Sequence, residues 1–95
     1  MFPYKFYTLY LVESCPYCAS ALDLAKSSNI EYYAQFLDWD DPLLLEAKQK
    51  FNHQTVPVVV ETTVGEKQRV EKLIGGYTEF ENYMKGEKTC LEEKE

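Results

Sequence analysis

Apolar positions along this chain come in short runs whose spacing switches between that of a strand and that of a helix. Residues 5–12 (KFYTLYLV) are almost continuously aromatic or branched, which predicts a strand covered on both faces. In residues 14–28, Ala19, Leu22, Leu24 and Ala25 recur at helical spacing. Pro16 falls in the first turn of that helix, where its missing N–H costs least. Ser27, Ser28 and Asn29 end it. Residues 30–37 read as a second strand, with Tyr32, Tyr33 and Phe36 as its bulk. Asp41-Pro42 has the form of an N-cap followed by proline, and the helix 42–50 carries Leu44, Leu45 and Ala47. Its last turn holds Lys48 and Lys50, on the side of the helix dipole that suits a cation.

Residues 56–63 form a third strand that contains Pro57, a residue confined to strand starts, edges and special turns. The turn Gly65-Glu66-Lys67 leads into a fourth strand, 68–74, so the last two strands make a hairpin. Gly75-Gly76 then breaks the chain. Thr78-Glu79-Phe80-Glu81 has the T-x-x-E spacing of a capping box and predicts a helix to Lys85, stopped by Gly86. The order is β1α1β2α2β3β4α3. A strand–helix–strand unit is parallel with a right-handed crossover, and a hairpin is antiparallel. The expected fold is therefore α/β, a four-stranded mixed sheet with helices on both faces. Residues 1–86 make one domain and residues 87–95 a charged tail holding Cys90.

Charge narrows the partners. Ten basic residues against 16 acidic ones give −6, which disfavours nucleic acid and an anionic membrane surface. Apolar residues at 45%, of which many are aromatic, are enough for a core and exclude wholesale disorder. The apolar run from Tyr7 to Val12 is six residues long, against about twenty for a membrane span. With no secretory signal in sight either, the expectation is a cytoplasmic chain and a monomer.

Three cysteines are too few for a disulfide scaffold. Two of them, Cys15 and Cys18, have C-x-x-C spacing at a strand-to-helix junction. There the unpaired N–H groups and the helix dipole favour negative charge on the first sulfur. The thiolate is the species that attacks a disulfide. Cys18 lies one turn deeper on the same face, within reach of Cys15 but less exposed. A structural zinc site needs four ligands, and only His53 and Cys90 remain to complete one, so no metal is expected. His53 by itself reads as a surface-loop histidine, and Trp39 as core or rim.

Cys15-Pro16-Tyr17-Cys18 after a strand, Thr55-Val56-Pro57 opening a later strand, and Gly75-Gly76-Tyr77-Thr78-Glu79-Phe80 opening the last helix together resemble the dithiol glutaredoxins. The match covers about residues 5 to 85, and the three motifs in that order are far more specific than C-P-Y-C alone. The resemblance implies the thioredoxin fold and glutathione-coupled reduction of protein disulfides and glutathione mixed disulfides. It implies Cys15 as nucleophile and Cys18 as resolving thiol. A cis bond before Pro57 follows from it, as does binding of glutathione by Tyr17, Thr55, Val56, Pro57, Gly76, Tyr77, Thr78 and Glu79. No bound cofactor is implied, since glutathione acts as co-substrate. Ribonucleotide reductase is the protein partner the family suggests most readily.

The chain departs from the family pattern in three places. Val12 stands where a Lys or Arg is usual, with Glu13 beside it, and Gln54 stands where a basic residue is common. Lys48 or Lys50 is the available substitute, although a solvated helix end is the simpler reading of both. The stretch 58–74 is longer than the usual hairpin, so residues 62–69 read as an inserted, protruding arm. Two alternatives keep the same cysteines. In one, a thioredoxin reductase replaces glutathione as donor. In the other, Cys15 and glutathione hold an iron–sulfur cluster between two protomers.

Overall fold

A computed structural model describes residues 4–93 of the 95-residue chain. The elements follow the expected order: β1 (Tyr4–Leu11), α1 (Pro16–Ser27), β2 (Tyr32–Phe36), α2 (Pro42–Lys50), β3 (Val58–Val64), β4 (Arg69–Gly75) and α3 (Tyr77–Glu93). The four strands form one sheet in the order β2-β1-β3-β4. β1 runs parallel to β2 and antiparallel to β3, and β3 is antiparallel to β4. This is the thioredoxin-like architecture.

The core lies between one face of the sheet and helices α1 and α3. Tyr7, Leu9, Leu11 and Val59 come from the strands, Cys18, Ala21 and Ala25 from α1, and Phe80 and Met84 from α3. The buried stripe of α1 is thus Cys18-Ala21-Ala25, with Leu22 and Leu24 packed at its margin and Ala19 exposed. Periodicity runs from the inward-facing cysteine rather than from Ala19. Nor is β1 sealed on both faces, since Phe6, Thr8 and Tyr10 are only half-buried. The nine-residue α2 is too short to cover their side of the sheet. It leaves a groove of about 330 Å³ between itself and Thr8, Tyr10 and Val60.

Local chemistry sets the helix ends. Asp41 accepts the Leu43 N–H at 2.9 Å, and Pro42 follows it, so α2 begins where the cap requires. Beyond the C-caps Ser28 and Phe51, Asn29 (φ 57) and Asn52 (φ 54) take the left-handed conformation that closes a helix. The start of α3 differs from the T-x-x-E reading. Gly76 is the cap: its carbonyl accepts the Phe80 N–H at 2.9 Å, and its own N–H donates to the Glu79 carboxylate at 2.9 Å. The reach-back bond of a capping box is therefore made by Glu79 rather than Glu81. Gly86 does not stop the helix, which continues to Glu93. Glycine in a helix interior costs about 1 kcal/mol relative to alanine, and good helix formers on both sides outweigh that.

The long hairpin is not a protruding arm. Thr62, Thr63 and Val64 pair with Phe6, Lys5 and Tyr4, so the added length is taken up by an equally long β1. One carboxylate lies inside this part of the sheet. Glu61 is 5% exposed and accepts hydrogen bonds from the hydroxyls of Tyr7 and Tyr83, each at 2.7 Å, with the Lys5 ammonium at 3.5 Å. It links the central strand to α3. Among the described residues, no helix is long and apolar enough to cross a membrane.

Candidate active site

The loop from β1 to α1 makes Cys15 the N-cap of the helix, in extended backbone (φ −99, ψ 116). Its Sγ occupies the place of a capping side chain and accepts the Cys18 N–H at 3.3 Å. Its carbonyl accepts the N–H groups of Cys18 and Ala19 at 3.1 and 3.2 Å. Both thiols are free, Cys15 half-buried and Cys18 fully buried. The Cys18 Sγ accepts the Val12 N–H at 3.4 Å. Burial pushes the Cys18 thiol up to about 12; the Val12 amide opposes that rise, while the hydrogen bond and charge of Cys15 add to it. One sulfur is thus presented at a helix N-terminus and the other keeps its proton beneath it. A thiolate at the first can open a disulfide, and the second can close on it.

Beside Cys15 is an open cavity of about 450 Å³. Three segments distant in sequence wall it: Cys15 and Tyr17 from the start of α1, Thr55, Val56 and Pro57 ahead of β3, and Gly76, Tyr77, Thr78 and Glu79 at the start of α3. The Val56–Pro57 peptide bond is cis. Every residue that the resemblance implies for catalysis or glutathione binding, except Cys18, lines this one space. The rings of Tyr17 and Tyr77 approach to 6.3 Å between centroids at 31°, forming one rim. The Tyr77 hydroxyl is held above the ordinary tyrosine value by partial loss of water and by Glu81, so it stays a neutral donor.

Gly75 explains why α3 points its first turn at this cavity. Its φ of +127 is one that L-residues rarely adopt, and a Cβ there would lie 2.7 Å from the Cβ of Glu79. Glycine lets the chain turn sharply from β4 into the helix. The first N–H groups of α3 then face an open space with no carbonyl four residues back to accept them.

Two further residues line the cavity, Trp39 and Gln54. Trp39 is 54% exposed and also walls a neighbouring cavity of about 380 Å³ with Val12, Glu13, Phe36 and Asp38. The sequence did carry a signal for it. β1 and β2 are parallel, so the residues following each strand emerge at the same edge of the sheet. His53 lies in the loop before the motif, partly exposed, and its Nε2 is 3.3 Å from Thr55 Oγ1; a Cβ built on Gly76 would come within 3.8 Å of it. Lys48 places its ammonium 5.4 Å from the centre of the Trp39 ring, while Lys50 turns away to an ion pair with Glu71 at 2.6 Å. Among the described residues, no group of three or more His, Cys, Asp or Glu side chains converges to hold a metal ion.

Comparisons with known proteins bear on the family and the fold. The glutaredoxin family model matches residues 6–65, which include both cysteines and the cis-proline. A solved structure, glutaredoxin 1 from Francisella tularensis complexed with cacodylate, superposes with a TM-score of 0.62. The match spans 94% of this chain and 99% of that one, at 18% identity, and shows a shared fold. No curated protein matches the chain. With the family model covering more than half its length, the chain belongs to the glutaredoxin family of thiol–disulfide oxidoreductases.

Proposed function

We propose that the protein reduces protein disulfides and glutathione mixed disulfides with glutathione as electron donor, by a dithiol mechanism. The observation that carries this reading is the shape of the site. One cavity is lined both by an N-cap sulfur and by the first turn of a second helix. Glutathione carries a thiol in its middle and a carboxylate at its γ-glutamyl end, and it matches that arrangement. The main chain at Val56 and Pro57 meets the cysteinyl part, with Thr55 beside it. Gly76, Tyr77, Thr78 and Glu79 take the γ-glutamyl end, and Tyr17 packs along the ligand.

With a protein disulfide, the Cys15 thiolate attacks one sulfur, forming a mixed disulfide and releasing the other sulfur as a thiolate that takes up a proton. Cys18 then gives up its proton and attacks the Cys15 sulfur. The Cys15–Cys18 disulfide forms and the second substrate thiol leaves. Two glutathione molecules reduce that disulfide in turn and depart as glutathione disulfide. A glutathione mixed disulfide needs Cys15 alone, since a second glutathione removes the first from its sulfur. Such a protein carries no prosthetic group and works as a monomer in the cytoplasm, in electron transport and redox homeostasis. Ribonucleotide reductase is a fitting disulfide partner on family grounds.

The test is turnover of a small glutathione mixed disulfide coupled to glutathione reductase, run beside reduction of the oxidised protein by thioredoxin reductase. Saturable dependence on glutathione is the expected result. Reduction by thioredoxin reductase alone would transfer the chain to the other donor.

A further inference from the structure

We propose that Lys48, seated on Trp39, supplies the positive charge that holds the C-terminal carboxylate of glutathione. This rests on the glutathione reading above and adds to it a residue that neither the motifs nor the family match assigns. The need follows from charge. Glutathione at neutral pH has two carboxylates and one ammonium, and the protein it approaches carries −6. The first turn of α3 can receive one carboxylate. With that end and the sulfur fixed, the second carboxylate is left to the rest of the lining, which includes Trp39 and Gln54. No cation comes from the three residues before the nucleophile, Val12, Glu13 and Ser14. Glu13 and Asp38 line the adjoining cavity and add further negative charge.

Lys48 is placed to answer that need. It projects from the last turn of α2, and its ammonium lies 5.4 Å from the centre of the Trp39 ring. It also shares a surface groove with Gln54, which lines the thiol cavity. A lysine over an indole face is held in place while its N–H donors stay available. Among the described residues no carboxylate forms an ion pair with it. Lys50, two residues on, is committed to Glu71 on the far side of the sheet. His53 stands at the Thr55–Gly76 end, beside the other carboxylate. The geometry therefore separates two lysines that the sequence leaves equivalent.

The experiment compares two mixed disulfides of cysteine, one with glutathione and one with glutathione esterified at its glycyl carboxylate. Wild type, K48Q and K48R are assayed with both, and thermal melts confirm that each is folded. Wild type should favour the free acid by about two- to fivefold in KM, the range expected of a partly exposed ion pair. K48Q should lose that preference through KM rather than kcat, and K48R should keep it. Added salt should shrink the preference in wild type and leave K48Q flat. A folded K48Q that still discriminates acid from ester like wild type overturns the role of Lys48 and leaves the glutathione reading intact. Equal KM values for the two substrates in wild type do the same. No turnover of either substrate by wild type overturns the glutathione reading and this inference with it.

Discussion

The backbone N–H of Val12 donates to the Sγ of Cys18 across 3.4 Å, so the buried sulfur is tied to the chain just beyond β1 rather than to solvent. The two cysteines of one motif therefore live in different chemical environments, and that difference can be measured directly.

Alkylation is the first measurement. With its thiol pushed up to about 12, Cys18 stays protonated at pH 8. Brief treatment of the folded protein with iodoacetamide, followed by peptide mapping, should label Cys15 and spare Cys18. Denaturant should abolish the selectivity. Equal labelling in the native state would contradict the burial described here.

The same shift predicts how stability changes at high pH. The folded state holds the Cys18 proton more tightly than the unfolded chain, whose thiol has the ordinary value of 9.0. Stability from this source is complete below that value and is lost as pH rises toward 12. Between pH 8 and 11, Cys18→Ala should show a flatter fall in melting temperature than wild type, although it starts lower because a packed sulfur is gone.

Catalysis should divide between the two thiols. Cys15→Ser is expected to abolish all turnover. Cys18→Ser should keep turnover of a small glutathione mixed disulfide while losing most reduction of a protein disulfide, and should trap a mixed disulfide visible by intact mass. Full protein-disulfide reduction by Cys18→Ser would rule out the dithiol route.

Glu61 makes stability sensitive to acid. Burial works against its charge, but the hydrogen bonds from Tyr83 and Tyr7 and the Lys5 ammonium outweigh it and hold the carboxyl below the ordinary glutamate value. A carboxyl lowered by folding stabilises above its unfolded value of 4.5, and that contribution is lost as pH falls through the folded one. Glu61→Gln should cost about 1–3 kcal/mol at pH 7. It should also reduce the loss of stability on acidification, as read from urea midpoints at pH 7 and below pH 4.5. Tyr83→Phe removes one of those hydrogen bonds and should lose part of the same stabilisation.

Two glycines should respond in opposite directions. Gly75→Ala forces an L-residue to φ +127 and puts its Cβ 2.7 Å from that of Glu79, so a loss of about 1–3 kcal/mol and a raised KM for glutathione substrates are expected. Gly86 lies inside α3, and a Cβ there meets nothing within 4 Å. Gly86→Ala should raise stability by about 0.5–1 kcal/mol. Denaturant midpoints of the pair test both.

These contrasts show what could be read from the sequence. The start of α2 was legible to the residue because Asp41 and Pro42 decide it by contacts two residues long. The start of α3 was not. Thr78/Glu81 and Gly76/Glu79 both offer a reach-back pair, and only the turn at Gly75 selects the second. The cysteines and the proline declared themselves by type and spacing, whereas Trp39 joins the cavity only because β2 lies parallel to β1. Lys48 and Lys50 look alike in the sequence, and the tertiary partners Trp39 and Glu71 send them to different duties.

The position of Cys18 in the core has a consequence for how the protein is made. The sulfur packs in one cluster with Phe80 and Met84 of α3, and β1 gains its second neighbour only when β3 is present. A ribosome delivers Cys15 and Cys18 long before it delivers residue 80. Between those two events the nascent chain carries both thiols without the helix that covers Cys18. Newly made molecules are the population most open to a wrong disulfide at Cys18, and α3 is the element that ends that exposure.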